Sequence, residues 1–132
     1  MAAARKARIE RITKETAVTV QVNIDGSGKT SVKTGLSFID HLITAIGKHA
    51  MIDITLSAKS DDGIVHHLAE DVAIALAQAI DKALGDRARV RRFGYAILPM
   101  DEAAASVAID LVNRAVAQKI LEKLQRPARV AE

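Results

Sequence analysis

The sequence predicts an α+β fold, a mainly antiparallel sheet with helices on one face. Three observations lead there. Residues 17–24 alternate, with Val18, Val20, Val22 and Ile24 facing one way and Thr19, Gln21 and Asn23 the other, the period of a half-buried strand. Residues 51–58 repeat the pattern through Ile52, Ile54 and Leu56. From about residue 67 to residue 84, Leu68, Val72, Leu76, Ile80 and Leu84 recur at every fourth position, the apolar stripe of an amphipathic helix.

The chain has 132 residues, 49% of them hydrophobic and 27% charged, a globular balance that argues against disorder and allows one domain with its own core. Aromatic residues make up only 2% and there is no Trp, so the core is aliphatic. The absence of cysteine excludes disulfides and thiolate metal sites and is compatible with a reducing compartment. Arg5, Lys6 and Arg8 near the start are followed by no apolar run, so the opening residues are expected to be neither a secretory signal nor a membrane span. A net charge of +3 reads first as a solvated basic surface and second as attraction for a small anion. Nucleic acid ranks last, because no aromatic-rich basic patch accompanies the charge.

In chain order, Asp25-Gly26-Ser27-Gly28 is a turn, and residues 29–34 are expected to return as the second strand of a hairpin with residues 17–24. Gly35 ends it. Ser37, with Asp40 three positions later, resembles a capping box for a helix over residues 37–49. Residues 60–63 form a loop that delivers the chain to the second helix, and Gly85 is its expected C-terminal cap. Residues 86–92 form a basic linker with four arginines. Strands follow at 93–98 and 104–112, with Asp101-Glu102 read as a turn rather than an acid–base pair, and a short helix at 115–125 is closed by Pro127. The order is β-β-α-β-α-β-β-α. No Pro- or Gly-rich linker divides it, so residues 1–132 are read as a single domain. There is a faint internal echo: Glu15-Thr16-Ala17 and Glu102-Ala103-Ala104 are offset by 87 positions.

The chemistry is concentrated in His66-His67-Leu68-Ala69-Glu70-Asp71. On a helix His66 and Glu70 lie about 40° apart, as do His67 and Asp71. The apolar stripe is expected on the other side, so imidazoles and carboxylates, Asp71 included, should face away from the core. Neutral imidazole with carboxylate suits Mn²⁺, Fe²⁺, Zn²⁺ or Ni²⁺. One His-x-x-x-Glu pair is half a site, and further ligands must come from elsewhere. The remaining histidines, His41 and His49, are eight residues apart on the preceding helix, about 12 Å along its axis, and cannot hold one ion together. Adjacent His66 and His67 diverge by about 100°. The spacing therefore points to two metal positions or to ligands shared between subunits. The competing reading is that these groups only complement the dipole at a helix start. Arg89, Arg91 and Arg92 are either solvated or a phosphate fork.

Read together, several segments resemble the imidazoleglycerol-phosphate dehydratase family: Arg11-Ile12-Thr13-Lys14-Glu15-Thr16, Asp25-Gly26-Ser27-Gly28, Thr34 to Leu42 with Asp40-His41, His49, the double-histidine stretch, Ala83-Leu84-Gly85-Asp86, Arg92-Phe93-Gly94 and Pro99 to Ala103. Their order follows the family from about residue 5 to residue 114. The resemblance implies a ribosomal-protein-S5-domain-2-like ββαββα repeat, with a complete first repeat at about 5–86, the hairpin of an incomplete second repeat at 87–117, and an unmatched tail at 118–132. It implies a cytoplasmic homo-oligomer with sites shared between chains, binding Mn²⁺ or another divalent transition metal. His41, His49, His66, His67 and Glu70 match metal-binding or active-site positions. Glu15, with His41 as a second candidate, matches the proton-transfer role, and Arg92 and Arg114 match arginines that hold a substrate phosphate.

The implied reaction of histidine biosynthesis removes water from imidazoleglycerol phosphate to give imidazole acetol phosphate, with metals as Lewis acids and template and Glu15 or a histidine as the acid–base group. No membrane and no nucleic acid take part. The chain departs from the family pattern at Val65, Leu68 and Val112 to Ala115, and the family's second-repeat histidines and lysine have no counterpart in these residues. Three classes follow: a hydro-lyase active only as an oligomer, an inactive relative that binds metal or a phosphorylated ligand, and a structural assembly module.

Overall fold

The computed structural model describes residues 5–88 and 90–112. They fall into two compact units, one ending at Arg89 and the other beginning at Val90. The first unit holds strands β1 (Lys6–Ile12), β2 (Thr16–Asn23) and β3 (Thr30–Lys33), helix α1 (Ser37–Ala50), strand β4 (Asp53–Ser60) and helix α2 (Val65–Leu84). The second holds β5 (Phe93–Met100) and β6 (Ala103–Asp110). The helix expected at 115–125 and the tail at 118–132 lie outside the described residues.

The four strands of the first unit form one sheet in the order β1-β2-β4-β3. The pairs β1/β2 and β2/β4 are antiparallel, and β3 runs parallel to β4. The alternation read from the sequence holds: Val18, Val20 and Val22 of β2 and Ile54 and Leu56 of β4 are essentially fully buried. Each such side chain contributes about 1.5–3 kcal/mol by leaving water. Both helices lie on this face. Leu68, Val72, Ala75, Leu76, Ala79 and Ala83 of α2 complete the core, with Ile43 of α1. The fold is α+β with a mainly antiparallel sheet and the helices on one side, as the alternation and the stripe predict.

Three local expectations are corrected. Residues 17–34 are not a hairpin, because β4 lies between β2 and β3. The cause is Asp53 at the start of β4: its Oδ1 accepts the backbone N–H of Ser27 at 2.8 Å and of Lys29 at 2.9 Å, and its Oδ2 accepts from Asn23 Nδ2 at 3.3 Å. The turn therefore wraps the end of a third strand. The Ser37–Asp40 capping box does not form. Leu36 is the N-cap, without a side-chain cap bond, and Asp40 Oδ1 accepts instead from Thr34 N–H at 2.9 Å and Thr34 Oγ1 at 2.6 Å, tying the first turn of α1 to the end of β3. Finally, β1 is a strand that the apolar pattern did not reveal. It is an edge strand, with Lys6, Arg8 and Glu10 on the open face of the sheet.

Gly47 sets how closely α1 approaches the sheet. A Cβ there would stand 2.4 Å from Thr30 Cγ2 and 3.1 Å from Ile52 O, so only a bare backbone fits. In the second unit β5 and β6 form an antiparallel pair joined by Asp101 and Glu102. Asp101 takes φ 51°, the left-handed conformation of a tight hairpin turn, so these two residues form the turn that the sequence favours.

Candidate metal and acid–base site

The site is built where three segments converge: the turn between β1 and β2, the loop after β4, and the first turn of α2. Residues 61–64 carry the chain from β4 into the helix. Ser60 Oγ donates to Asp62 Oδ1, which also accepts the N–H of Ile64, both at 2.9 Å. The loop is thereby folded onto the helix start, and the second oxygen of Asp62 is left to face His67. His67 Nδ1 lies 2.6 Å from Asp62 Oδ2 and 3.6 Å from Glu15 Oε2. Glu15, Asp62 and His67 each offer one donor atom, and these lie within 4.8 Å of one another.

A carboxylate can only accept, so the imidazole Nδ1 carries the shared hydrogen and Nε2 keeps its lone pair. That is the usual arrangement of a ligating histidine, whose other nitrogen is oriented by a carboxylate. The charges respond accordingly. The His67 bond, helped by the Ile64 N–H, pulls Asp62 down to about 2. Asp62 pushes His67 up from its ordinary value, and the charges of Glu15 and Glu70 add to the effect. With Nδ1 carrying the hydrogen to Asp62, Nε2 is the nitrogen left to ligate, and imidazole with carboxylate is nitrogen–oxygen chemistry that fits a divalent transition ion.

Among the described residues, this is the one group of three or more His or carboxylate side chains gathered this way. Of the residues singled out from the sequence, it brings together Glu15 and His67. Asp62 was read only as part of a loop; its role depends on how that loop folds, which no periodicity signals. His66 is exposed beside His67, ring centroids 4.4 Å apart and edge-on. Glu70 is exposed one turn further along α2. His41 and His49 are exposed on α1 and do not join the cluster. In the second unit the Arg92 fork is taken by Asp110, Nε–Oδ1 at 2.7 Å and Nη2–Oδ2 at 3.1 Å, and it stacks 4.9 Å from the Phe93 ring centroid. Arg114 and Arg89 lie outside the described residues.

Asp71 corrects the expected helical face. It is buried and points to the sheet: Oδ1 accepts Arg11 Nε at 2.7 Å and Oδ2 accepts Thr16 Oγ1 at 2.5 Å. Thr16 and Arg11, the first apart, hold the carboxyl below its ordinary range. A buried carboxylate is stable there because it is paired and fully hydrogen-bonded. Beside the site, a cleft of about 510 Å³ opens between the start of α1, the end of β4 and the start of α2. Thr34, Leu36, Ser60, Ile64 and Leu68 line it, with Lys33 and Lys59 among its cations.

The family model described as "Imidazoleglycerol-phosphate dehydratase" matches residues 34–130. The imidazoleglycerol-phosphate dehydratase of Granulibacter bethesdensis is 51% identical over 112 residues, covering 84% of this chain and 57% of that protein. The one from Nocardia farcinica is 49% identical over 111 residues, covering 83% and 51%. A crystal structure of IGPD from Pyrococcus furiosus, solved in complex with a bound compound, is similar at a TM-score of 0.61 and 34% identity, over 77% of this chain and 53% of that one. The chain thus spans about half the length of the curated relatives it matches.

Proposed function

The chain belongs to the imidazoleglycerol-phosphate dehydratase family, and from that premise we propose that it serves the dehydration of imidazoleglycerol phosphate to imidazole acetol phosphate as a Mn²⁺-dependent cytoplasmic hydro-lyase. One observation carries this reading: Glu15, from the β1–β2 turn, stands 3.6 Å from His67 of α2, with Asp62 fixing the imidazole. A proton carrier and an oriented nitrogen ligand at one point are what such a reaction requires.

His67 and Glu70 would hold the ion, with Asp62 orienting His67; His66, His41 and His49 would serve a second ion or a neighbouring chain. When bound, the metal supplies Lewis acidity and a template for the substrate imidazole. The chain's own part is positional and protonic. Asp62 keeps the hydrogen on Nδ1 of His67, so that Nε2 remains a donor to the ion. Glu15, exposed beside His67, takes the proton from the carbon beside the one that loses hydroxyl and returns it to carbon as the enol becomes the ketone, while the proton that the enol O–H gives up accounts for the hydroxyl leaving as water. Arg114 would hold the phosphate, joined by Arg92 once its fork exchanges Asp110 for the phosphate oxygens. Because α1 keeps His41 and His49 apart from the Glu15–Asp62–His67 cluster, complete sites would form between copies of the chain in a homo-oligomer.

The test is turnover of imidazoleglycerol phosphate by the purified chain with added Mn²⁺, alongside its bound-metal content. Turnover that depends on Mn²⁺ and falls steeply to a measurable residual rate in Glu15→Gln supports the proposal. A second reading is favoured by the cleft beside the site with Lys33 and Lys59 in its lining: a chain that binds metal or a phosphorylated ligand without turnover. Metal bound at stoichiometric level with no product formed would select it.

A further inference from the structure

Asp71 is the one buried carboxylate among the described residues, and the proposed chemistry does not use it. Beyond Arg11 and Thr16, its Oδ2 lies 3.3 Å from Thr13 Oγ1. Thr13 Oγ1 in turn accepts the backbone N–H of Glu15 at 3.1 Å and of Thr16 at 3.0 Å, and Thr13 N–H closes the turn on Thr16 O at 2.9 Å. From the other side, Asp61 N–H donates to Glu15 O at 2.7 Å. The backbone of Glu15 is therefore held at both ends, through Thr13 by α2 and through Asp61 by the loop that carries Asp62.

We propose that Asp71 is a positioning residue for Glu15. It hooks the β1–β2 turn onto α2 four residues beyond His67, so a single rigid helix carries both the imidazole and the anchor that keeps the Glu15 carboxylate beside it. Positions four apart on a helix lie on neighbouring rows of one face, which is why the hook and the imidazole reach the same turn. Arg11 completes the device: it takes an inward position on β1 and neutralises the hook. The inference rests on the reading of Glu15 as the acid–base group. A core ion pair that only stabilised the fold would not need the Thr13 hydroxyl, nor bond the very turn that bears Glu15.

Asp71→Asn, Glu15→Gln, the double variant and Thr13→Val, all in the full chain, test it. In Asp71→Asn, kcat should fall roughly 10-fold or more with KM nearly unchanged, because a small misplacement of a reacting group is enough for such a loss. In the Glu15→Gln background the same change should add nothing. Amide hydrogen exchange at Glu15 and Thr16 should quicken roughly 10-fold, while β2 and β4 keep their protection, as local opening requires. An equal loss of kcat in both backgrounds, or unaltered exchange at Glu15, overturns the proposal. If the wild-type chain turns over no substrate, the proposed function falls, and the exchange measurement alone decides whether Asp71 holds the turn. If Asp71→Asn does not fold, Thr13→Val carries the same expectations and the same overturning results.

Discussion

Asp62 Oδ2 accepts the Nδ1 hydrogen of His67 at 2.6 Å, and the bond moves both groups away from their ordinary titration. Asp62 is held near 2 and His67 is raised. The signs are opposite in consequence. His67 has its higher value in the folded chain, so its contribution is complete below the unfolded value of about 6.5 and fades as pH rises through the folded one. Asp62 has its lower value there, so its contribution is complete above about 4 and fades as pH falls toward 2. Replacing Asp62 with Asn should bring His67 back down, read from the imidazole Hε1 shift across a pH titration by NMR. An unmoved titration would mean that the two side chains do not meet in solution.

The same bond bears on metal affinity. Removing a carboxylate that orients a ligating histidine typically weakens binding about 10–100-fold. Asp62→Ala should therefore raise the Kd for Mn²⁺ by about that factor in calorimetric titration. His67→Ala or Glu70→Ala should reduce the Mn²⁺ retained after dialysis and also the size of the assembly in light scattering. Full metal content and an unchanged assembly in both variants would defeat a site shared between chains. Binding should weaken on acidification, because protons compete for the raised His67.

The core was legible because it obeys short periods. Val18, Val20 and Val22, Ile54 and Leu56, and the Leu68–Val72–Leu76 row all lie where alternation and the helical stripe put them. What escaped depends on pairing between distant residues. The inward row of β1 reads Ala7, Ile9, Arg11; an arginine in that row spoils the apolar pattern, and its place there is justified only by Asp71, 60 residues later. The turn at residues 25–28 looked like a hairpin turn because its residues are turn residues. Asp53, reached through the whole of α1, makes it wrap β4 instead. In the cluster, Glu15 and His67 are residues that residue type and family resemblance single out, whereas Asp62 joins them only because the loop at 61–64 folds back on the helix.

Gly47 and Thr30 offer a packing test on the helix that carries His41 and His49. A methyl group at position 47 would meet Thr30 Cγ2 at 2.4 Å and Ile52 O at 3.1 Å. Overpacking of this kind costs about 1–3 kcal/mol. Gly47→Ala should lower the urea midpoint accordingly, despite the better helix propensity of Ala. Thr30→Ser removes the methyl at issue and should restore part of the loss. A Gly47→Ala variant as stable as wild type would show that α1 stands further from β3 than the structure places it.

Asp71 gives the acid limb of stability a defined origin. Thr16, then Arg11, hold its carboxyl below the usual range, so the folded form binds its proton later than the unfolded chain does. The stabilisation is therefore complete above about 4 and is lost as pH falls through the lowered folded value. Arg11 keeps 33% of its side chain exposed, against 9% for Asp71, so solvent screens part of the pair and the hydroxyl bonds carry a larger share. Asp71→Ala would leave Thr16, fully buried, without its acceptor and Arg11 without its partner, a loss of about 2–4 kcal/mol. Asp71→Asn should lose less at neutral pH and should flatten the fall in Tm below about pH 4 relative to wild type. Parallel acid limbs in calorimetry would assign that fall to other carboxylates, Asp62 first, held near 2 by His67, then Asp53, lowered by the backbone N–H groups of Ser27 and Lys29.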